Sequence, residues 1–103
     1  MDDIRDTLDA RGNSYGEFKH NAFIAQTLKL LWRTSVGYSR LQHDSHSVCQ
    51  DSAVINEGLE MILMKISRIC NGDPKHLDSW IDIIGYAQLV TDHLHRCEKG
   101  EKV

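Results

Sequence analysis

The sequence lacks an excess of charge of either sign. Its 12 basic and 15 acidic residues give a formal net charge of −3 and are interspersed along the chain. Proteins that bind the phosphate backbone of nucleic acids present a basic surface, which supplies most of the sequence-independent affinity. We therefore expect no duplex nucleic acid among the partners of this protein.

The sequence also has few cysteines and no long hydrophobic run. Its three cysteines, Cys49, Cys70 and Cys97, are an odd number without the compact spacing of a disulfide framework. We find neither a signal-peptide pattern nor an apolar segment long enough to span a bilayer. These absences predict a reduced, cytoplasmic protein that has no membrane partner.

Helical periodicity dominates what remains, over residues 1–10, 17–34, 51–70 and 74–94. Residues 35–50 lose the period and are predicted to be a loop, and residues 96–103 are predicted to be a frayed, charged tail. The chain of 103 residues is thus expected to form a single all-α domain, residues 1–103, a bundle of about four helices. Its broad apolar helix faces suggest completion by a second copy, so we expect a homo-oligomer.

Two pairs of acidic residues lie on the two helices of the central stretch. Glu57 and Glu60 belong to the first helix, and Asp78 and Asp82 to the second. The sequence Asn-Gly-Asp-Pro over residues 71–74 predicts a short turn, so the helices must be antiparallel.

Each acidic pair is predicted to lie opposite an apolar stripe that faces the core. The two stripes consist of Ile55, Leu59, Ile62, Leu63, Ile66, Ile69 and Cys70, and of Trp80, Ile83, Ile84, Ala87, Val90 and Leu94. In the antiparallel arrangement Lys65 and Arg68 would lie near Asp78 and Asp82.

The acidic and basic side chains of the first helix have two interpretations. Such residues usually form a lattice of surface ion pairs, each worth a few tenths of a kcal/mol. Met61 and Met64 share this face, however, and make it too apolar for a freely solvated surface. We therefore favour a polar binding site. Gly85 on the second helix would let a helix or a ligand approach closely.

Three segments carry a resemblance to a known family. They are RG-x-x-YG-x-F (residues 11–18), E-x-L-E-M-I-x-x-K-I-x-R-I (residues 57–69) and GDP-x-H-x-DSW-x-DI-x-GYA-x-LV (residues 72–90). Together they resemble a family of small phage-encoded proteins of unassigned function. That family is similar to MazG-like and nucleotide-modification-associated all-α domains, which handle nucleotides.

The resemblance implies a magnesium-dependent nucleoside triphosphate pyrophosphohydrolase in the host cytoplasm. MazG-like enzymes hold Mg²⁺ with an E-x-x-E pair and an E-x-x-D pair, and they cleave between the α and β phosphates. Glu57 and Glu60 match the first pair, whereas the second is replaced by Asp78-x-x-x-Asp82. The implied metal ligands are Glu57, Glu60 and Asp82, and Asp78 would bind the metal or orient a water molecule.

The remaining residues of the implied site would bind the nucleotide itself. Lys65 and Arg68 would neutralise phosphate charge, and Arg11 could reach a phosphate. Tyr86 or Tyr15 would stack on a base, although packing over a turn is the favoured role of Tyr15.

The altered second acidic pair leaves other functions open. One alternative is sequestration of a nucleotide or cyclic-nucleotide immune signal without cleavage, which would make the protein an anti-defence factor. Another is an oligomeric adaptor whose charged stripe is a protein interface. The spacing of His43, His46 and Cys49 gives a weak zinc signal, for which Asp44, Asp51 or a distant histidine would have to supply a fourth ligand.

Overall fold

A computed structural model describes residue 4, residues 17–43 and residues 50–98 of the chain. The regular structure in these ranges consists of α1 (Phe18–Arg33), α2 (Val36–His43), α3 (Asp51–Asn71) and α4 (Leu77–Glu98). The all-α class and the three long helices are therefore confirmed. The helix predicted over residues 1–10 lies outside the described residues apart from Ile4. None of the described helices is long and apolar enough to cross a membrane.

Helix α2 corrects the loop predicted over residues 35–50. Ser35 starts this helix, because its Oγ accepts a hydrogen bond from the Tyr38 amide (3.1 Å) and donates one to the Trp32 carbonyl (2.6 Å). The Trp32 and Tyr38 rings then pack edge to face, with centroids 5.5 Å apart. Residues 44–49 of the predicted loop lie outside the described residues.

Helix α3 is the centre of the arrangement. It contacts α1, α2 and α4, whereas no Cα atom of α1 lies within 8 Å of a Cα atom of α4. The three long helices therefore form an open layer instead of a closed bundle. Among the described residues, Ala25 and Leu41 are the only fully buried hydrophobic ones. Most apolar side chains of the described helices are thus at best half-buried.

Polar hydrogen bonds contribute to the contact between α1 and α3. Trp32 Nε1 donates to Asn56 Oδ1 at 3.0 Å. About three helical turns closer to the start of α1, Asn21 Oδ1 accepts a hydrogen bond of 3.2 Å from Ser67, which is completely buried. These bonds define how α1 lies along α3, and they satisfy polar groups that the contact removes from water.

Helix α4 turns only part of the predicted core face to α3: Val90 lies at the contact, as predicted, but other residues of the stripe do not. Ser79 and His93 are buried, whereas the predicted core residues Trp80 and Ile84 are 48% and 67% exposed. The cause is a close helix crossing: a Cβ atom at Gly58 would overlap Val90 Cγ2, so α4 lies almost against the α3 backbone. The side of α4 that makes this approach carries Ser79, Asp82, Val90 and His93, and the more apolar side is left outside.

The end of α4 also differs from the prediction of a frayed tail from residue 96. The helix continues to Glu98. His93 Nε2 lies 2.9 Å from Asp51 Oδ1 and 3.6 Å from Cys97 Sγ, so the last turns of α4 are attached to the first turn of α3. Residues 99–103 lie outside the described residues.

Candidate functional site

Glu60 forms the centre of a charged cluster between α1 and α3. Its Oε1 lies 3.9 Å from Lys29 Nζ and 3.9 Å from Arg33 Nη2. Both distances exceed the length of a direct charge-assisted hydrogen bond, which is about 2.7–2.9 Å. The two cations thus converge on one carboxylate without tight bonds to it, and the three charges leave an excess of positive charge.

The Lys29 side chain is only 13% exposed, which is unusual for a lysine. Lysines are seldom buried to this extent without a partner, because removing the ammonium group from water is costly. Lys29 and Arg33 are four residues apart on α1 and so project from the same side of the helix. This cluster therefore offers an anion two adjacent donors, one of them largely shielded from water.

A second ion pair joins α3 to α4. Lys65 Nζ lies 2.9 Å from Asp82 Oδ2, and the Lys65 side chain is 13% exposed. The predicted proximity of Lys65 and Asp82 is thereby confirmed, and with it the antiparallel register of the two helices. Asp82 thus already forms an ion pair with Lys65 in the single chain.

The other predicted site residues are spread along the two helices. Glu57 is exposed on α3, and Asp78 is exposed in the first turn of α4. Arg68 and Tyr86 are half-buried. Arg11 and Tyr15 lie outside the described residues. The exposed acids are thus accessible to a ligand or to a second chain.

The structure does not bring the three predicted metal ligands together within one chain. Glu60 lies beside the cations of α1, whereas Asp82 lies beside Lys65 at the α4 contact. Since α1 and α4 do not contact each other, these carboxylates belong to separate sides of α3.

Gly85, predicted to allow the close approach of a helix or a ligand, has no neighbouring atom within 4 Å of a Cβ built on it.

Among the described residues, one group of three ligand-bearing side chains does converge, and it contains Asp51, His93 and Cys97. Sequence reasoning had considered Asp51 for zinc but missed His93 and Cys97. Their spacing of four residues puts them on one side of α4, which was the available signal. Lys29 and Arg33 were missed as well, and the same spacing could have identified them.

Comparison with known proteins identifies the family but not an activity. Residues 5–94 match the model of a domain of unknown function, DUF6378. Neither a curated protein nor a solved structure matches the chain. Because the family match spans most of the sequence, the chain belongs to the DUF6378 family, whose function is unassigned.

Proposed function

We propose that this protein is a phage-type, MazG-like nucleotide-binding protein that acts as a Mg²⁺-dependent nucleoside triphosphate pyrophosphohydrolase. The observation that carries the proposal is the cluster of Glu60 with Lys29 and Arg33, next to a further carboxylate at Glu57. Carboxylates that bind a hard cation, placed beside cations that bind phosphate, are what such a reaction requires.

Each residue of the cluster has a role in this proposal. Lys29 and Arg33 would bind phosphate oxygens, and their charge would stabilise the negative charge that develops during cleavage. Glu57 and Glu60 lie one helical turn apart, and their oxygens suit Mg²⁺, which when bound would neutralise the phosphates further. Lys65 lies beside Asp82 on the α4 side, so Lys65, Arg68 and Tyr86 would contact more distant phosphates and the base of a ligand bound at the cluster of a second copy.

The second acidic pair can take part in this reaction only if a second copy of the chain supplies it. Asp82 would complete the metal ligands and Asp78 would orient the attacking water molecule, but both lie away from Glu60 in one chain. We therefore propose that a second copy supplies them. The Asp82 side chain is 44% exposed, and Leu89, two turns further along the same side of α4, is 65% exposed, so a contact there would bring Asp82 to a subunit boundary.

The exposed apolar residues support a homo-oligomer as the working form. They occupy both outer helices: Phe18, Phe23, Leu30 and Leu31 on α1, and Leu77, Trp80, Ile81, Ile84 and Leu89 on α4. A monomer seldom exposes so many large apolar side chains next to one another. A second copy is the favoured occupant, because the described helices bury few apolar side chains between them and the sequence has no charge excess that would select a highly charged partner.

A specific observation also favours a second function, sequestration of a nucleotide or cyclic-nucleotide signal without cleavage. Glu60 and Asp82 each lie next to a cation in the single chain, so these carboxylates need no metal ion to be neutralised. A ligand phosphate could bind Lys29 and Arg33 without magnesium. The two functions use the same cluster and differ in whether the bound ligand is cleaved.

One experiment separates the two functions. The protein is incubated with nucleoside triphosphates and cyclic oligonucleotides, with and without Mg²⁺, and both the solution and the heat-released fraction are analysed by mass spectrometry. Monophosphate and pyrophosphate formed only with Mg²⁺ would support the hydrolase. An intact ligand that disappears from solution and returns on heating would support sequestration. If neither result is obtained, both functions are rejected and an oligomeric adaptor is favoured.

A further inference from the structure

The first turn of α3 and the last turns of α4 bring three different kinds of metal ligand together. Asp51 supplies a carboxylate oxygen, His93 an imidazole nitrogen and Cys97 a sulfur atom, and all three atoms lie within 4.8 Å of one another. The cluster is distinct from the one at Glu60. Asp51 lies nine residues before Glu60 on α3 and contacts α4 instead of α1.

A single nitrogen of His93 makes both contacts. Its Nε2 lies 2.9 Å from Asp51 Oδ1 and 3.6 Å from Cys97 Sγ. A histidine that passes a proton from a thiol to a carboxylate uses its two different ring nitrogens for the two partners. Here one nitrogen faces both the oxygen and the sulfur, and all three atoms lie within 4.8 Å of one another, which is close enough for them to share a metal ion.

The distances suit a small divalent ion with nitrogen, oxygen and sulfur ligands. Zinc lies about 2.0–2.3 Å from such ligands, and its tetrahedral geometry puts them about 3.3–3.7 Å apart. The distance from His93 Nε2 to Cys97 Sγ falls in this range at 3.6 Å. The distance from Nε2 to Asp51 Oδ1 is 2.9 Å, a hydrogen-bond length, so this pair would separate by about half an ångström on binding.

We propose that Asp51, His93 and Cys97 form a zinc site. His93 is 5% exposed, so its ring is held in place by packing. The Asp51 side chain is 30% exposed and leaves a path for the ion to enter. Three protein ligands leave a fourth position for water or another ligand. Cys97 binds as the thiolate and His93 through an unprotonated Nε2, so loading the site releases the thiol proton to solvent and moves the Nε2 proton, which now faces Asp51, to Nδ1.

The site has a structural role in this proposal. It joins the start of α3 to the end of α4, two segments that the contact between His93 Nε2 and Asp51 Oδ1 already links. Metal bonds between them would hold both helix ends. Zinc binding is therefore expected to stabilise the folded chain, in proportion to RT ln(1 + [Zn²⁺]/Kd).

The test is a zinc titration of the full chain after treatment with a chelator. We expect calorimetry with zinc chloride to give one tight site per chain that requires Cys97, and we expect Cys97→Ser and Asp51→Asn each to weaken the affinity about tenfold or more. Cobalt chloride should produce a thiolate-to-cobalt charge-transfer band in the wild type but not in Cys97→Ser. Zinc should raise the melting temperature of the wild type more than that of Cys97→Ser.

Two residues of the same types outside the cluster provide matched controls. Cys70 is an exposed cysteine at the other end of α3, and His95 is an exposed histidine two residues from His93. Cys70→Ser and His95→Ala should bind zinc like the wild type. Because His93 is buried, His93→Ala could fail to fold, and the conservative Cys97→Ser variant is therefore the deciding one. Wild-type affinity in Cys97→Ser, or no zinc binding by the wild type at micromolar concentrations, would overturn the proposal.

Discussion

Val90 of α4 lies directly over Gly58 of α3, so closely that a Cβ atom at Gly58 would overlap Val90 Cγ2. The two backbones can approach to this distance only because residue 58 has no side chain. The crossing determines which face of α4 is turned inward. It also explains why a helix that appears amphipathic in sequence leaves much of its apolar side exposed.

Gly58→Ala should therefore destabilise the protein. Alanine improves helix propensity by about 1 kcal/mol, but overpacking at a tight contact costs about 1–3 kcal/mol. We expect a net loss of about 1 kcal/mol in urea unfolding followed by circular dichroism. Gly85→Ala is the matched control, because nothing lies within 4 Å of its added Cβ, and it should not be destabilising. A Gly58→Ala variant as stable as Gly85→Ala would contradict the close crossing.

The Lys65–Asp82 ion pair should contribute measurably to the contact between α3 and α4. A double-mutant cycle with Lys65→Met and Asp82→Asn is expected to give a coupling free energy of about 0.5–1 kcal/mol, which falls as salt is added. The looser pair of Lys29 and Glu60, at 3.9 Å, is the comparison and should give a smaller coupling. Equal couplings for the two pairs would mean that the 2.9 Å contact is not maintained in solution.

Ile84→Lys should disrupt self-association through α4. Ile84 is 67% exposed in the single chain, so the lysine costs the folded protomer little, but it would place a charge in an apolar interface. Light scattering coupled to size exclusion, over a concentration series, should show a smaller species than the wild type. Gln26→Lys, at an exposed polar position on α1, should leave the mass unchanged. A wild type that is monomeric at all concentrations would remove the oligomer from the proposal.

Arg33→Ala should weaken nucleotide binding at the Glu60 cluster. Loss of a charge-assisted hydrogen bond to phosphate is expected to cost about 1–3 kcal/mol of binding free energy, measured by calorimetry with a non-hydrolysable triphosphate. Arg40→Ala, an exposed arginine on α2, is the control and should bind normally. If both variants bind equally well, the phosphates do not contact this cluster.

Glu60→Gln distinguishes the two proposed functions with one variant. For the hydrolase it removes a metal ligand, so turnover with Mg²⁺ should be lost while the helical content is retained. For sequestration it removes a negative charge beside Lys29 and Arg33, so metal-free binding of the nucleotide should become tighter. Loss of helical content would instead mean that Glu60 is needed for folding.

The sequence was most informative where local forces decide the structure. Periodicity placed α1 at residues 17–34 and α3 at residues 51–70, within one residue of the observed Phe18–Arg33 and Asp51–Asn71. The turn after Asn71 determined the antiparallel register, and hence the meeting of Lys65 with Asp82. Helix α2 was missed because Ser35 was counted as a loop residue and not as a helix cap.

The packing of the helices against one another was harder to predict from the sequence. The predicted inner face of α4 assumed that the most apolar stripe faces the chain's own core, which fails when a glycine on the facing helix decides the closest approach. The pairing of Lys29 and Arg33 with Glu60 depends on how α1 lies along α3, which no local pattern specifies. The Asp51, His93 and Cys97 cluster likewise depends on joining two distant helix ends.

Because α1 and α4 do not contact each other, α3 is the described helix that connects them. The two outer helices can therefore separate from α3 independently, and only the opening of α3 itself requires the whole layer to unfold. Amide hydrogens in the middle of α3 should exchange most slowly, and those of α1 and α4 should exchange in two separate groups. A ligand bound at the Glu60 cluster would then slow exchange in α1 and α3, and would leave the rate in α4 nearly unchanged.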